Sequence, residues 1–377
     1  MDITQTAFGT WNGGRFMNYG HPLDPARWTQ LVRHAWNQGV RTFLTADVYG
    51  SGEADTLLGQ ALSGIPRHSY CLVGCIGHDF YATRRDGAKG FPRFTDPRLR
   101  TKQDYGSYLR MATEKSLERC QVSKFDVLLL HNPDLIGYTQ DTVWTELQRL
   151  VDAGLTDRLG IAPGPANGFT LDLIRCFERF SPLIDWAMLI LGPFEPWPGS
   201  LVLPAAKAHD IRILTRVVDY GGIFHDDVRP GHSFGPQDHR AFRPAGWVEA
   251  GVEKLIHLRP IAAKHNLTPL QLAAAWNLAQ PAVESVIPTL IQEIGDGSRT
   301  IESKVDDLAG VKRGNLSTDE LERIAHLGNN FGSMALKGAK RGHTTDPLPD
   351  QWNLDADLES VAERWGIHPD TDLIYTH

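Results

Sequence analysis

Short runs of β-branched and apolar residues recur along the chain, each followed by a stretch in which apolar positions return every three or four residues. Thr42 to Ala46, Tyr70 to Ile76, residues 125–130, 158–162, 185–191 and 211–217, and Val283 to Ile287 read as buried strands, with a shorter candidate at Phe8 to Trp11. Between them the spacing predicts helices over 53–63, 105–120, 140–153, 169–180 and 200–208. Asp24-Pro25 opens another helix through Trp36, with proline at the first helical position, where its missing N–H costs nothing. Thr268-Pro269-Leu270-Gln271 is a capping box that starts a helix running to about Leu278. Strands separated by helices imply right-handed βαβ units and a parallel sheet. Eight such pairs predict a single (β/α)8 TIM barrel over residues 1–330, with long loops, rather than an open doubly wound sheet. Residues 331–377 form a C-terminal extension, with Trp352 and Trp365 available to pack it onto the barrel. The connection from His78 to Asp104 is long for a compact domain, which marks it as functional or mobile.

The second strand carries the chemistry. It ends in a turn at Gly50 and Gly52, leaving Asp47 and Tyr49 on the loop at its C-terminal end, the face of a parallel barrel where ligands bind. His131, after Val127-Leu128-Leu129-Leu130, sits at the matching end of another strand. A rim tyrosine can simply pack, and a histidine after an apolar strand usually satisfies a backbone carbonyl; their coincidence on one face shifts both toward function. Alternation along the third strand puts Cys71, Val73 and Cys75 on one side and Leu72, Gly74 and Ile76 on the other. Thr42, Leu44, Cys75 and Leu129 are expected to face the barrel interior.

Composition narrows the alternatives. Hydrophobic residues make up 41% and charged residues 22%, which gives a sizeable core and argues against a disordered chain. The net charge of −7 comes with no stripe of Lys and Arg, so nucleic acid is not an expected partner; a small-molecule substrate is. No apolar run approaches the ~20 residues of a spanning helix, the N-terminus lacks a leader pattern, and a cytoplasmic location is expected. Cys71, Cys75, Cys120 and Cys176 show no metal spacing and read as reduced thiols. His78, Asp79 and His131 do not form a recognised ligand pattern, and no metal site is predicted.

"TADVYGSGEADTLLGQAL", from Thr45 to Leu62, resembles the aldo-keto reductase signature, in which an Asp-Thr-Ala run leads to a catalytic tyrosine and then Gly-Glu and Leu-Gly pairs. "FDVLLLHNPD", "GLTDRLGIAPG", "DHRAFRP", "LRPIAAKHNLTPLQLAAAWNL" and "AVESVIPT" extend the resemblance in order, from Gly9 to about Leu308. It implies an NAD(P)-linked oxidoreductase acting at a carbonyl or hydroxyl carbon, with Tyr49 as proton donor and His131 orienting the substrate. The family's buried aspartate and lysine fall at Leu44 and Cys75. A lone buried lysine would be an uncompensated charge, whereas joint apolar replacement can be neutral for stability, so the pair implies a remodelled site with Cys75 and Asp47 beside Tyr49. For NADP or NAD, the serine-asparagine pair expected to hold the nicotinamide amide reads Pro163-Gly164, and the expected glutamine reads Met188. Arg216, Thr289 and two cations taken as exposed, Arg299 and Lys304, are the candidate cofactor residues. Trp11, His78, Asp79 and Trp197 are candidates on the substrate side, and the ten tryptophans suit polar, sugar-like or cyclic substrates. Two other readings stay open: a cofactor-free lyase or isomerase using Tyr49 and His131, and a non-catalytic regulatory subunit, against which the retained Tyr49 and His131 count.

Overall fold

The computed structural model describes residues 1–85, 90–164, 169–295, 297–314, 316–334 and 354–374. Eight parallel strands follow one another around a barrel: β1 (Ala7–Gly9), β2 (Thr42–Ala46), β3 (Cys71–Ile76), β4 (Val127–His131), β5 (Leu159–Ala162), β6 (Trp186–Ile190), β7 (Arg212–Arg216) and β8 (Val283–Ile287). A parallel bridge from Thr6 to Val286 brings β1 against β8 and closes the ring.

Period-2 alternation sorts the strand residues into two buried shells. Leu44, Cys71, Val73, Cys75, Val127, Leu129, Met188 and Leu214 form the inner cluster. Phe43, Leu72, Leu128, Leu130 and Ile213 point outward and pack with the helices. Leu44, Cys75 and Leu129 therefore face the interior as expected, and Thr42, on the same side by alternation, meets the Thr4 N–H and hydroxyl at 2.8 Å. Each fully buried Leu or Phe is worth about 1.5–3 kcal/mol, so a one-residue slip of any strand would exchange the shells at large cost.

The outer layer comprises α1 (Pro25–Asn37), α2 (Glu53–Leu62), α3 (Tyr105–Cys120), α4 (Leu135–Thr139), α5 (Asp141–Asp152), α6 (Phe169–Phe180), α7 (Gly199–Ala208), α8 (Trp247–Lys264), α9 (Pro269–Leu278), α10 (Ile301–Ala309), α11 (Thr318–Leu327) and α12 (Ala356–Arg364). The helix expected over 140–153 is preceded by a separate short one, because Asp134 caps α4 through the Gly137 N–H and Gln140 is extended between the two. The long α8 was not expected; Pro260 interrupts its pattern, yet Trp247, Leu255, Leu258 and Ile261 are buried along it. In the C-terminal extension, α12 lies on α6: Arg364 clasps Glu178 at 3.0 and 2.7 Å, and the Trp365 indole donates to the same carboxylate at 2.9 Å. Trp352 falls outside the described residues. Among those residues no helix is long and apolar enough to cross a membrane.

Candidate active site at the barrel mouth

A cavity of about 530 Å³ opens at the C-terminal ends of the strands. Tyr49, His131, His78, Trp11, Trp197, Arg216 and Thr289 all line it, so seven of the twelve site residues expected from sequence meet there. The Tyr49 ring stands edge-on to Trp11 (6.4 Å between centroids) and to His131 (5.9 Å), and His131 meets His78 at 5.2 Å. Two glycines make this possible. A Cβ on Gly9 would sit 2.6 Å from the Trp11 ring, and one on Gly77 would sit 2.4 Å from the His131 carbonyl oxygen.

The loop after β3 is anchored to the loop after β4. Asn132, at a positive φ of 46° that asparagine tolerates, faces His78 Nε2 with its side-chain amide at 3.2 Å, while the Arg93 Nε donates to the Asn132 carbonyl. With Nε2 accepting, His78 carries its proton on Nδ1, 3.1 Å from the Phe91 carbonyl.

Burial sets the protonation states. It drives His131 well below the usual imidazole range, and its neighbours His78, Arg216 and Arg93 push the same way, so His131 is neutral. Its Nδ1 is buried with no hydrogen-bond partner among the described residues. Burial pushes the Tyr49 phenol upward, Cys75 adds to this, and the Arg216 guanidinium pulls it back down. Arg216 keeps part of its surface on the cavity but is otherwise enclosed, and burial lowers its pKa.

Five expected site residues lie off the cavity wall. Cys75 sits inside the barrel, its thiol pushed up by burial and by Asp47. Asp47 is buried beside Tyr81 (3.4 Å), whose hydroxyl takes a hydrogen bond from Arg119 at 2.9 Å; burial and the neighbouring Asp55 hold its carboxyl well above the usual range. Asp79 turns away from the two histidines and pairs with Arg100. Lys304 is not an exposed cation: it is fully buried and paired with Asp227 at 2.7 Å. Arg299 is likewise engaged, by Asp307 at 2.8 Å and the His225 carbonyl at 3.1 Å. The acidic partner of Lys304 lies far away in sequence, so the local sequence could not reveal it.

Other cavity residues were not read from sequence: Tyr19, Asn132, Glu195, Asp219, Arg240 and Arg243. Asp219 has the most consequence. Its carboxylate accepts the Thr289 N–H at 2.7 Å and the Gly222 N–H at 3.1 Å, and burial raises its pKa to about 6. The polar turn Asp219-Tyr220-Gly221-Gly222 after β7 was the available signal.

A nicotinamide dinucleotide fits this site at its reacting end, where the buried Arg216 Nε and His131 Nδ1 have no partner among the described residues. It does not fit equally elsewhere. Pro163 offers no N–H, Met188 no polar group, and Asp219 occupies backbone donors on the loops after β7 and β8, where barrels commonly bind phosphate.

A closed barrel with a phenol, an imidazole and a guanidinium gathered at the C-terminal mouth is the architecture of a barrel enzyme. The aldo/keto reductase family model matches residues 6–328, and the chain belongs to that family. It is 25% identical over 282 residues to the Glycine max protein named "Probable aldo-keto reductase 1", covering 72% of each chain. It is 24% identical over 310 residues to an Arabidopsis thaliana protein named "Probable voltage-gated potassium channel subunit beta", covering 78% of this chain and 85% of that one. Among solved structures, a glycerol dehydrogenase from Gluconobacter oxydans superposes with a TM-score of 0.68 at 21% identity, over 87% of this chain and 92% of the other. An aldo-keto reductase from Klebsiella pneumoniae in complex with NADPH gives 0.58 at 19% identity, over 86% and 91%.

Proposed function

We propose that the protein is an oxidoreductase acting at the carbonyl or hydroxyl carbon of a small polar substrate, with Tyr49 exchanging a proton with the substrate oxygen and His131 orienting that oxygen. The observation that carries this reading is the convergence of Tyr49, His131 and Arg216 on one aromatic-walled cavity. A neutral imidazole can hydrogen-bond the reacting oxygen without competing for the proton. The phenol, raised by burial, is a weak acid, and Arg216 supplies part of the acidifying field that a lysine at Cys75 would otherwise give. Trp11 and Trp197 wall the cavity with flat faces. Trp197 is held by both Asn330, whose amide donates to its carbonyl at 2.6 Å, and the Asp372 carbonyl, which accepts from its indole. When bound, NADP or NAD would supply the hydride, with its reacting end toward His131 and Arg216, where the site fits it.

A specific observation supports a second reading, cofactor-free proton transfer next to a carbonyl: Asp219 already sits on the Thr289 and Gly222 N–H groups. Titrating the protein with NADPH and NADH, followed by tryptophan quenching and thermal stabilisation, separates the two. Stabilisation by either nucleotide, with its consumption in the presence of a small aldehyde, supports the oxidoreductase; no stabilisation of the folded protein favours the second reading. Under either one, Tyr49→Phe should lower turnover by about 10²- to 10⁴-fold, the usual worth of a positioned acid or base. Full turnover by that variant would remove Tyr49 from the mechanism.

A further inference from the structure

The arginines on the cavity wall are not treated alike. Arg243 pairs with Glu195 at 3.2 Å, and Arg240 is clamped between Asp238 at 2.8 Å and Glu293. Arg216 differs. Among the described residues no carboxylate comes within ion-pair distance of it; its Nη2 donates to the Pro163 carbonyl at 3.2 Å, and its Nε is buried without a partner. A guanidinium enclosed by protein and lacking a counter-charge is costly, and a ligand of opposite sign relieves that cost. The position is also central: Arg216 lines the same cavity as Tyr49 and His131.

We propose that Arg216 is the receptor for an anionic group of the substrate, and that the substrate class is a small oxo or hydroxy carboxylate, its carboxylate on Arg216 and its reacting oxygen between Tyr49 and His131. Cation and phenol line one cavity, so a single small ligand can present an anion to the first and a reacting oxygen to the second, and the planar fork of a guanidinium matches a carboxylate in two parallel hydrogen bonds. This rests on the reading of Tyr49 and His131 as the reacting pair. A dinucleotide phosphate offers the same anionic chemistry, and the experiment separates the two sources.

The full chain is titrated with oxamate, with its neutral analogue oxamide and with inorganic pyrophosphate, by tryptophan fluorescence and thermal shift, in the parent, Arg216→Lys and Arg216→Met proteins. The parent should bind oxamate about 10- to 100-fold more tightly than oxamide, the range expected for hydrogen bonds to a charged group. Arg216→Met should abolish that preference while melting at a higher temperature than the parent without ligand, because the unpaired charge is gone. Arg216→Lys should keep a reduced preference, since it retains charge but not the fork. Equal binding of oxamate and oxamide by the parent would overturn the proposal. So would an Arg216-dependent tightening seen with pyrophosphate alone, or an Arg216→Met protein that melts no higher. Binding needs no turnover, so this result stands or falls separately from the nucleotide titration.

Discussion

Buried basic groups on and around the barrel's seventh and eighth strands are handled in two ways. On the segments that follow β7 and β8, bases meet acids: Arg240 pairs with Asp238 and Glu293, His232 with Glu293 at 3.3 Å, and Lys304 with Asp227. Burial would raise the Glu293 carboxyl, but His232 and Arg240 overcome it and hold it down at about 2. At the reacting end, Tyr49, Cys75, His131 and Arg216 crowd together with no carboxylate among them to balance the guanidinium. The chain neutralises the charge of Arg240, His232 and Lys304 internally, and leaves that of Arg216 without a carboxylate among the described residues.

The contrast breaks most visibly on the paired side. Lys304→Met leaves Asp227 buried beside no cation and should cost about 3–5 kcal/mol of unfolding free energy in a denaturant titration. A loss under about 1 kcal/mol would show that this pair is not a structural element. On the unpaired side, Cys75→Lys adds a second cation next to Arg216 in the inner shell and should cost about 3 kcal/mol or more. Adding Leu44→Asp should return part of that loss and, if nucleotide binds, raise aldehyde reduction; a double variant no more stable than Cys75→Lys would mean that the two positions are too far apart to pair. The smallest effect concerns Asp219 on the cavity wall. Burial raises its folded pKa above the 3.8 of an ordinary Asp to about 6. Its contribution to stability is therefore fully present below about pH 4 and is lost as pH rises through 6. Asp219→Asn should be more stable than the parent by about 1–2 kcal/mol at pH 8 and show no advantage at pH 4. An unchanged pH dependence of the melting temperature would contradict that assignment.

Strand alternation is enough to separate Cys71, Val73 and Cys75 from Leu72 and Ile76, because burial on both faces of a barrel strand leaves period 2 as the organising rule. The position of Tyr49 and His131 at strand ends follows from the same local reading. What stays hidden is long-range. Lys304 reads as an exposed cation because Asp227 is remote in sequence, and Asp79 reads as free because Arg100 is brought to it by the folding of the β3–α3 connection. Asp219 escapes notice because a carboxylate in a glycine-rich turn gives no local sign that one of its partners is a backbone N–H from another strand's loop.

All four cysteines are free and buried, on β3, at the end of α3 and within α6. Burial, first among the causes, pushes every one of these thiols upward, Cys71 to about 12. Cys176 owes its rise to burial and then to Asp172. Since the thiolate is the nucleophile, the folded protein should be nearly silent toward maleimides and mild oxidants, and each thiol becomes reactive when the element carrying it opens. The native chain thus contains its own set of clocks: the rate at which each cysteine takes up label, resolved by peptide mass, would time the opening of the barrel wall at β3 separately from that of the helical layer at α3 and α6.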